Sequence, residues 1–248
     1  LVHFNGRARV PQFYGADFSA GHWLYYPGCG LTQNLGLTDS NIYVANSSLF
    51  RTNIGQNNAS KNDDIVIVPV DGSGQRLWDQ AEQARVISLG TGVLTVERGQ
   101  YGTSPRAFAA GLTYVAPHAW EGPWGNITNH LLWCYNFAST CPRDSNGHNA
   151  GDVLARELGD WFAPGGPCEN FHGIEFDVSY WSIGSINGRK IDIDADGTAD
   201  YGIIGGTNVY GLGTYQFFST LRRNLGEGRR IMADAGDETN QRAVGILN

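Results

Sequence analysis

Carboxylates stand near the ends of two short strand-like segments in the second half of the chain. The first segment, 173–178, carries Glu175 and Asp177, and the second, 230–236, carries Asp234. Side chains alternate along a strand, so Glu175 and Asp177 share one face. In parallel α/β folds the chemistry lies at the carboxyl ends of strands. The spacing therefore predicts a polar reaction site with these three acids as catalytic candidates. The alternative is that they cap turns or pair with arginines.

A second acidic motif lies between these strands. Carboxylates at positions 1, 3, 5 and 9 of the segment 192–200, with glycine at position 6, match an EF-hand-type calcium loop. Ile203 stands where that loop has its bidentate glutamate, so the segment resembles the shorter calcium loops of dockerins and thrombospondin-type repeats. The predicted Ca²⁺ ligands are Asp192, Asp194, Asp196, the carbonyl of Thr198, and Asp200. The alternative is a solvated acidic turn.

Aromatic residues accompany the acids. Tyr180 and Trp181 lie at the root of the loop 179–212, which we expect to cover the carboxyl end of the sheet, and Trp124 lies near another predicted strand end. Aromatic rings beside carboxylates grip sugars by stacking on their apolar faces. We therefore predict Trp181, Tyr180 and Trp124 as substrate-binding residues, with ordinary core packing as the alternative.

Composition restricts the classes of function. The chain has 248 residues and a net charge of −7, which disfavours a nucleic-acid partner, and no apolar run is long enough to span a membrane. Four cysteines in a glycine-rich, loop-rich chain favour two disulfides in an oxidising compartment, and hence a secreted or cell-surface protein. Buried free thiols are the alternative.

The pattern of segments divides the chain into three regions. Residues 1–37 supply a first strand, and 38–117 read as an inserted all-β module with a hairpin at 84–98. Residues 118–248 alternate strands and helices, with an apolar strand at 131–137 and an apolar-striped helix at 214–226 between the two acid-bearing strands. This alternation predicts an α/β fold, a partial or complete (β/α)-barrel with the small β module inserted.

The predicted barrel is short of strands. A closed eight-stranded barrel takes roughly 250 residues without insertions, and about eighty residues here belong to the β module. The apolar run 244–247 stands at the end of the sequence. We therefore expect a missing carboxyl-terminal portion, or self-association that covers this edge.

Two resemblances suggest functions. The region 118–248 resembles the early strands of a (β/α)-barrel of the glycoside-hydrolase type, on the residues Gly173-Ile174-Glu175-Phe176-Asp177 and Ile231-Met232-Ala233-Asp234. That resemblance implies a carbohydrate-active protein with Asp177 and Asp234 as substrate-binding or catalytic acids.

The second resemblance concerns the β module. The segments ARVIS (84–88), LTVERGQYGT (94–103) and AFAAG (107–111) resemble a hairpin module of phage-tail and other surface-assembly proteins. This resemblance implies the rival function, a non-catalytic secreted structural or adhesion protein in a surface or tail-like assembly.

Overall fold

The computed structural model describes residues 1–11, 18–54, 61–123, 131–234 and 246–247. Its strands are β1 (Val2–Asn5), β2 (Ala8–Arg9), β3 (Cys29–Gly30), β4 (Asn41–Tyr43), β5 (Asp64–Pro69), β6 (Glu82–Gly90), β7 (Val93–Glu97), β8 (Thr113–Pro117), β9 (Trp120–Glu121), β10 (Leu132–Cys134), β11 (Gly173–Asp177), β12 (Ser185–Ile186), β13 (Arg189–Lys190), β14 (Ile203–Ile204), β15 (Thr207–Asn208) and β16 (Arg230–Ala233). Its α-helices are α1 (Ala150–Phe162) and α2 (Val209–Leu225), and short 3-10 helices occupy Ala20–His22, Ser47–Leu49 and Trp78–Gln80.

The largest sheet is antiparallel, with the strand order β3-β8-β5-β6-β7-β4, and it curls into a half-barrel. Side chains alternate along the central strand β5, so Ile65 and Ile67 face a smaller core inside the curl, whereas Val66 and Val68 face the larger core of the molecule. Burial on both faces explains why this strand is a continuous apolar run.

The hairpin predicted at 84–98 is confirmed. Strands β6 and β7 pair antiparallel, with Gly90 opposite Val93 and an irregular register between Val86 and Ser88. Gly92 in the turn has φ +70°, a conformation that costs a glycine little because it has no Cβ.

A smaller parallel sheet carries the predicted strand–helix–strand unit. Its order is β1-β11-β16, and α2 connects β11 to β16. One face packs on the helices. The ring centroids of Phe4 and Trp161 of α1 are 5.8 Å apart, those of Phe176 and Phe218 of α2 are 5.2 Å apart, and both pairs meet edge to face. Aromatic pairs in this geometry add to the apolar burial. The opposite face of the sheet is mostly polar, with the exposed Met232 as an apolar member.

The predicted (β/α)-barrel is wrong. In the described part of the chain the strands are mostly antiparallel, and only β1, β11 and β16 form a parallel sheet. The apolar segment at 131–137, predicted as a barrel strand, contains β10, which pairs antiparallel with β2 and β9. Apolar runs reveal that a strand is buried but not the direction of its neighbours, which is why the prediction failed. The boundaries of the three regions stay predictions.

The predicted disulfides are also wrong. All four cysteines lie in the described residues and all are free thiols, with Cys134, Cys141 and Cys168 buried and Cys29 half-buried. Burial raises the pKa of the Cys141 thiol to about 12. An even cysteine count carries no information on distance, and the thiols here behave as small apolar side chains. The cysteines therefore give no support for an oxidising compartment. A secreted or surface location stays a prediction.

Near the end of the chain, Ile246 packs into the larger core. Its carbonyl oxygen accepts hydrogen bonds from Nε and Nη2 of Arg222 at 2.9 and 2.6 Å. Val244 lies outside the described residues. Among the helices of the described residues, none is long and apolar enough to cross a membrane.

A buried ion pair connects the half-barrel to the loop that follows β11. Nη1 of Arg189 lies 3.0 and 3.1 Å from the two carboxylate oxygens of Asp63, and its Nη2 donates to the carbonyl of Leu49 at 2.6 Å. Asp63 is 1 % exposed. Burial outweighs the attraction of Arg189 and raises the pKa of the Asp63 carboxyl to about 6.

This burial makes a pH-dependent contribution to stability. The folded state binds the Asp63 proton more tightly than the unfolded state, so the contribution of Asp63 is most favourable below its ordinary pKa of 3.8 and declines as the pH rises to about 6. We expect the unfolding free energy of the wild type, relative to Asp63→Asn, to fall across this window by up to roughly 3 kcal/mol. Urea unfolding of both proteins at each pH measures the difference in their unfolding free energies. The contributions of the other titrating groups are common to both proteins and cancel in this difference. A difference that rises with pH, or stays constant, would contradict this assignment.

Candidate functional site

The polar face of the parallel sheet brings His3 against two of the predicted acids. In the register of the sheet His3 lies opposite Glu175, and Asn5 lies opposite Asp177. Nδ1 of His3 is 3.2 Å from Oε2 of Glu175, and Nε2 is 3.8 Å from Oδ2 of Asp177. The acid side chains are 39 % and 43 % exposed. We call His3, Glu175, Asp177 and Asp234 the acidic face.

Asp234 joins this face from the neighbouring strand. Its backbone N–H donates to the carbonyl of Phe176 at 2.7 Å, and its own carbonyl accepts from the N–H of Ser179 at 3.2 Å. Glu175 lies opposite Met232, so strand alternation places Asp234 on the same face as Glu175, next to Asp177. The three acids predicted from the strand pattern therefore end at one edge of one sheet.

A buried carboxylate supports the carboxyl end of this sheet. Glu121 is 2 % exposed and accepts hydrogen bonds from Nδ2 of Asn5 at 2.6 Å and from Nε of Arg7 at 2.8 Å, and it also contacts Nη2 of Arg7. Oδ1 of Asn5 accepts from the N–H groups of Arg7 and Ala8, both at 2.9 Å. Residue types and local spacing gave no signal for this cluster because Arg7 and Glu121 are 114 positions apart.

The backbone is strained directly after Asp177. Val178 has φ +59°, in the left-handed region that a β-branched residue rarely adopts. The next residue, Ser179, bonds to the carbonyl of Asp234 and so holds this conformation against the end of β16. Strain of this kind is retained at binding and catalytic sites when the surrounding structure determines it.

The structure describes two of the three aromatic residues predicted to bind sugar. Trp181 is 4 % exposed and packs in the core near Tyr215 and Phe218 of α2, so its ring is not an exposed stacking surface. Tyr180 is half-buried, with the guanidinium of Arg7 above its ring at 5.4 Å. Trp124 lies outside the described residues. Of the three, Tyr180 is the one whose described position is partly accessible, three residues after Asp177 in the sequence.

Three of the predicted metal ligands meet in the loop between β13 and β14. A carboxylate oxygen from each of Asp192, Asp194 and Asp200 lies within 4.8 Å of the other two. The remaining two predicted ligands are arranged differently: Oδ1 of Asp196 accepts the N–H of Thr198 at 2.6 Å, and Asp196 is not part of the cluster. The calcium assignment stays a prediction, now with three carboxylates at its centre.

Asp192 anchors this loop to the half-barrel. It is 1 % exposed, and its oxygens accept from the N–H groups of Asp196 and Gly197 at 3.0 and 2.8 Å and from the hydroxyl of Tyr114 at 3.0 Å. Burial raises its pKa to about 7. A cation among the three carboxylates would favour the ionised form, and the geometry suits a hard ion that prefers oxygen.

Comparison with protein-family models gave no match, and comparison with curated proteins gave none either.

Calcium is expected to stabilise the folded chain. A cation that binds only the folded state raises the unfolding free energy by about 2.7 kcal/mol at a hundredfold excess over its Kd. Thermal unfolding of chelator-treated protein, with and without added calcium, measures this shift. Asp194→Asn should abolish the shift, because Asp194 belongs to the cluster. Asp196→Asn should retain most of it and is the matched control. Equal melting temperatures with calcium and with chelator would refute the site.

Proposed function

We propose that this chain is a carbohydrate-active protein whose acidic face hydrolyses glycosidic bonds. The observation that carries the proposal is the placement of Glu175 and Asp177: both project from one side of β11, both are accessible to solvent, and both lie against the same imidazole. Two carboxylates flanking a sugar linkage are the minimum that glycoside hydrolysis needs.

The chemistry divides the work between the two acids. One carboxylic acid protonates the glycosidic oxygen, while the other carboxylate attacks the sugar or activates a water. Glu175 is the proposed acid, because Nδ1 of His3 lies at hydrogen-bond distance and can return its proton from solvent. Asp177 is the proposed base or nucleophile, and Asp234, at the neighbouring strand end, is proposed to bind sugar hydroxyls.

The surroundings of these acids support precise positioning. Asn5, the neighbour of Asp177 across the sheet, is hydrogen-bonded to the buried Glu121, and Arg7 connects Glu121 to the ring of Tyr180. Side chains locked by such a network hold reacting groups more accurately than a flexible loop does. Tyr180 is the proposed aromatic contact for the sugar ring.

Calcium has a structural role in this proposal. The aspartate cluster lies on the segment that leaves β11 after Asp177 and Tyr180 and returns to α2. A cation there would hold the segment against the half-barrel through Asp192 and Tyr114, at a distance in sequence from the reacting groups. Its removal is therefore expected to weaken the fold of the loop before it affects the acids.

The test is a pair of substitutions that remove charge and keep shape. A screen for released reducing sugars first identifies a polysaccharide that the wild type hydrolyses. Asp177→Asn and Glu175→Gln should each lower the rate of its hydrolysis by about 10²-fold or more. Both side chains are exposed, so the unfolding free energy should change by no more than about 0.5 kcal/mol.

Glu227→Gln provides the matched control. Glu227 is also exposed, but it lies in the turn before β16, at the end of the strand opposite to Asp234. Wild-type rates in the Asp177 and Glu175 variants would rule out the acidic face. The alternative function, a structural role in a surface assembly, would then be favoured if the chain self-associates and cleaves no saccharide in the screen.

A further inference from the structure

The described lining of two neighbouring cavities includes no residue of the acidic face. A cavity of about 460 Å³ and another of about 580 Å³ share four lining residues, Phe18, Ser19, Trp78 and Asp79. Because the two cavities adjoin along these residues, they form one trough, which we call the Trp78 groove. Each cavity has the volume of an ordinary small-molecule site, and two that adjoin offer room for neighbouring units of one extended ligand.

The groove is remote from the acids in the fold. Arg156 of α1 lines one end, and α1 packs on the apolar face of the parallel sheet, whereas Glu175 and Asp177 project from the opposite face. Among the described residues, the lining of the groove includes no member of the acidic face. A ligand in this groove would therefore occupy a second site.

The centre of the groove combines an aromatic ring with polar groups. Trp78 is half-buried and stacks on Tyr25, with ring centroids 5.5 Å apart and an interplanar angle of 12°. This stacking fixes the indole where it borders both cavities. Asp79 is exposed beside it, and its carboxylate oxygens are hydrogen-bond acceptors. Aromatic surface next to a planar acceptor matches the apolar faces and hydroxyl groups of sugar rings.

Two arginines give the first cavity a preference for carboxylates. Arg76 lies with its guanidinium 4.6 Å from the ring centroid of Tyr114, and Nη1 donates to the carbonyl of Gly74 at 3.1 Å. Arg143 is 58 % exposed, and its Nη1 bonds to the carbonyl of Gly147 and to Asp152. Each guanidinium has five N–H donors, so these contacts leave donors for a ligand. Arginine binds carboxylates through paired parallel hydrogen bonds.

Acids in the same cavity do not cancel this preference. The Oδ1 atom of Asp144 accepts the N–H groups of Asn146 and His148 at 2.8 and 2.9 Å. Burial is the largest single influence on the pKa of Asp144 and raises it, but these hydrogen bonds and the nearby imidazoles together lower the pKa by more. Its carboxylate therefore stays ionised, but three arginines and two aspartates line this cavity, so positive charge remains in excess. Asp79 remains as an acceptor for hydroxyl groups, and it would repel a densely anionic ligand such as a polyphosphate.

We propose that the Trp78 groove binds an oligosaccharide containing uronic acid units, with its carboxylates on Arg76 and Arg143 and a sugar ring against Trp78. The proposal deepens the carbohydrate function by naming the class of saccharide, but it does not depend on the chemistry at Glu175 and Asp177. A neutral oligosaccharide has no carboxylate to accept charge-assisted hydrogen bonds from the remaining N–H donors of these arginines, so the groove should discriminate between the two.

The test is calorimetric titration of the full chain with tetramers of galacturonate and of mannuronate, and with cellotetraose as the neutral probe. We expect at least one uronate tetramer to bind at least tenfold more tightly than cellotetraose, and added salt should weaken its binding. Arg76→Gln and Arg143→Gln should each weaken that binding tenfold or more. Arg106→Gln, at an exposed arginine outside the groove, is the matched control and should bind as the wild type does.

The acidic face and the groove give separable results. Asp177→Asn should retain uronate binding in the groove even where it abolishes hydrolysis. Loss of binding in Asp177→Asn with wild-type binding in the two arginine variants would overturn the groove and leave the hydrolytic proposal standing. Equal affinity for cellotetraose and the uronates, or no binding of either uronate, would also overturn it.

Discussion

Two consecutive carboxylates at the start of β5 join the layers of this molecule. Asp63 pairs with Arg189 from the loop after β11, and Asp64 accepts hydrogen bonds from Nε1 of Trp133 at 3.0 Å and from the hydroxyl of Tyr101 at 2.8 Å. Both acids are almost fully buried. Burial of a charge destabilises the fold unless its partners are in place, so these residues tolerate only the arrangement in which the half-barrel, β10 and the loop meet.

The same principle recurs throughout the structure. Glu82 inside the half-barrel is bonded to Arg98, and Glu121 beside the parallel sheet is bonded to Arg7. These acids are buried and paired with arginine, whereas Glu175 is exposed and contacts an imidazole. Carboxylates in this chain therefore fall into two groups. Buried pairs hold the layers in register, and the acids at the end of the parallel sheet are accessible to solvent.

The local pattern of the sequence predicted some elements well. Alternation identified the hairpin of β6 and β7, and it identified the shared face of Glu175 and Asp177. A helical stripe between two short strands identified the unit of β11, α2 and β16. Each of these signals lies within about sixty residues, where periodicity and turn residues determine the structure.

Long-range features could not be predicted in the same way. The apolar run of β5 is buried on both faces of an antiparallel sheet, although such runs are typical of parallel strands. His3 meets Glu175 across 172 positions, and no local pattern indicates the contact. Trp181 is the type of residue on which sugar rings stack, but it lies in the core beside α2. Burial and pairing across the chain decide these cases, and composition carries no information on them.

We propose that the accessible acids of the parallel sheet act on a glycosidic bond. A crystal structure of the Asp177→Asn variant soaked with a mixed set of oligosaccharides tests this most directly. We expect density for an uncleaved saccharide over β11, with a glycosidic oxygen within hydrogen-bond distance of Glu175 and a sugar ring beside Tyr180. Saccharide density elsewhere, with this face of the sheet unoccupied, would contradict it.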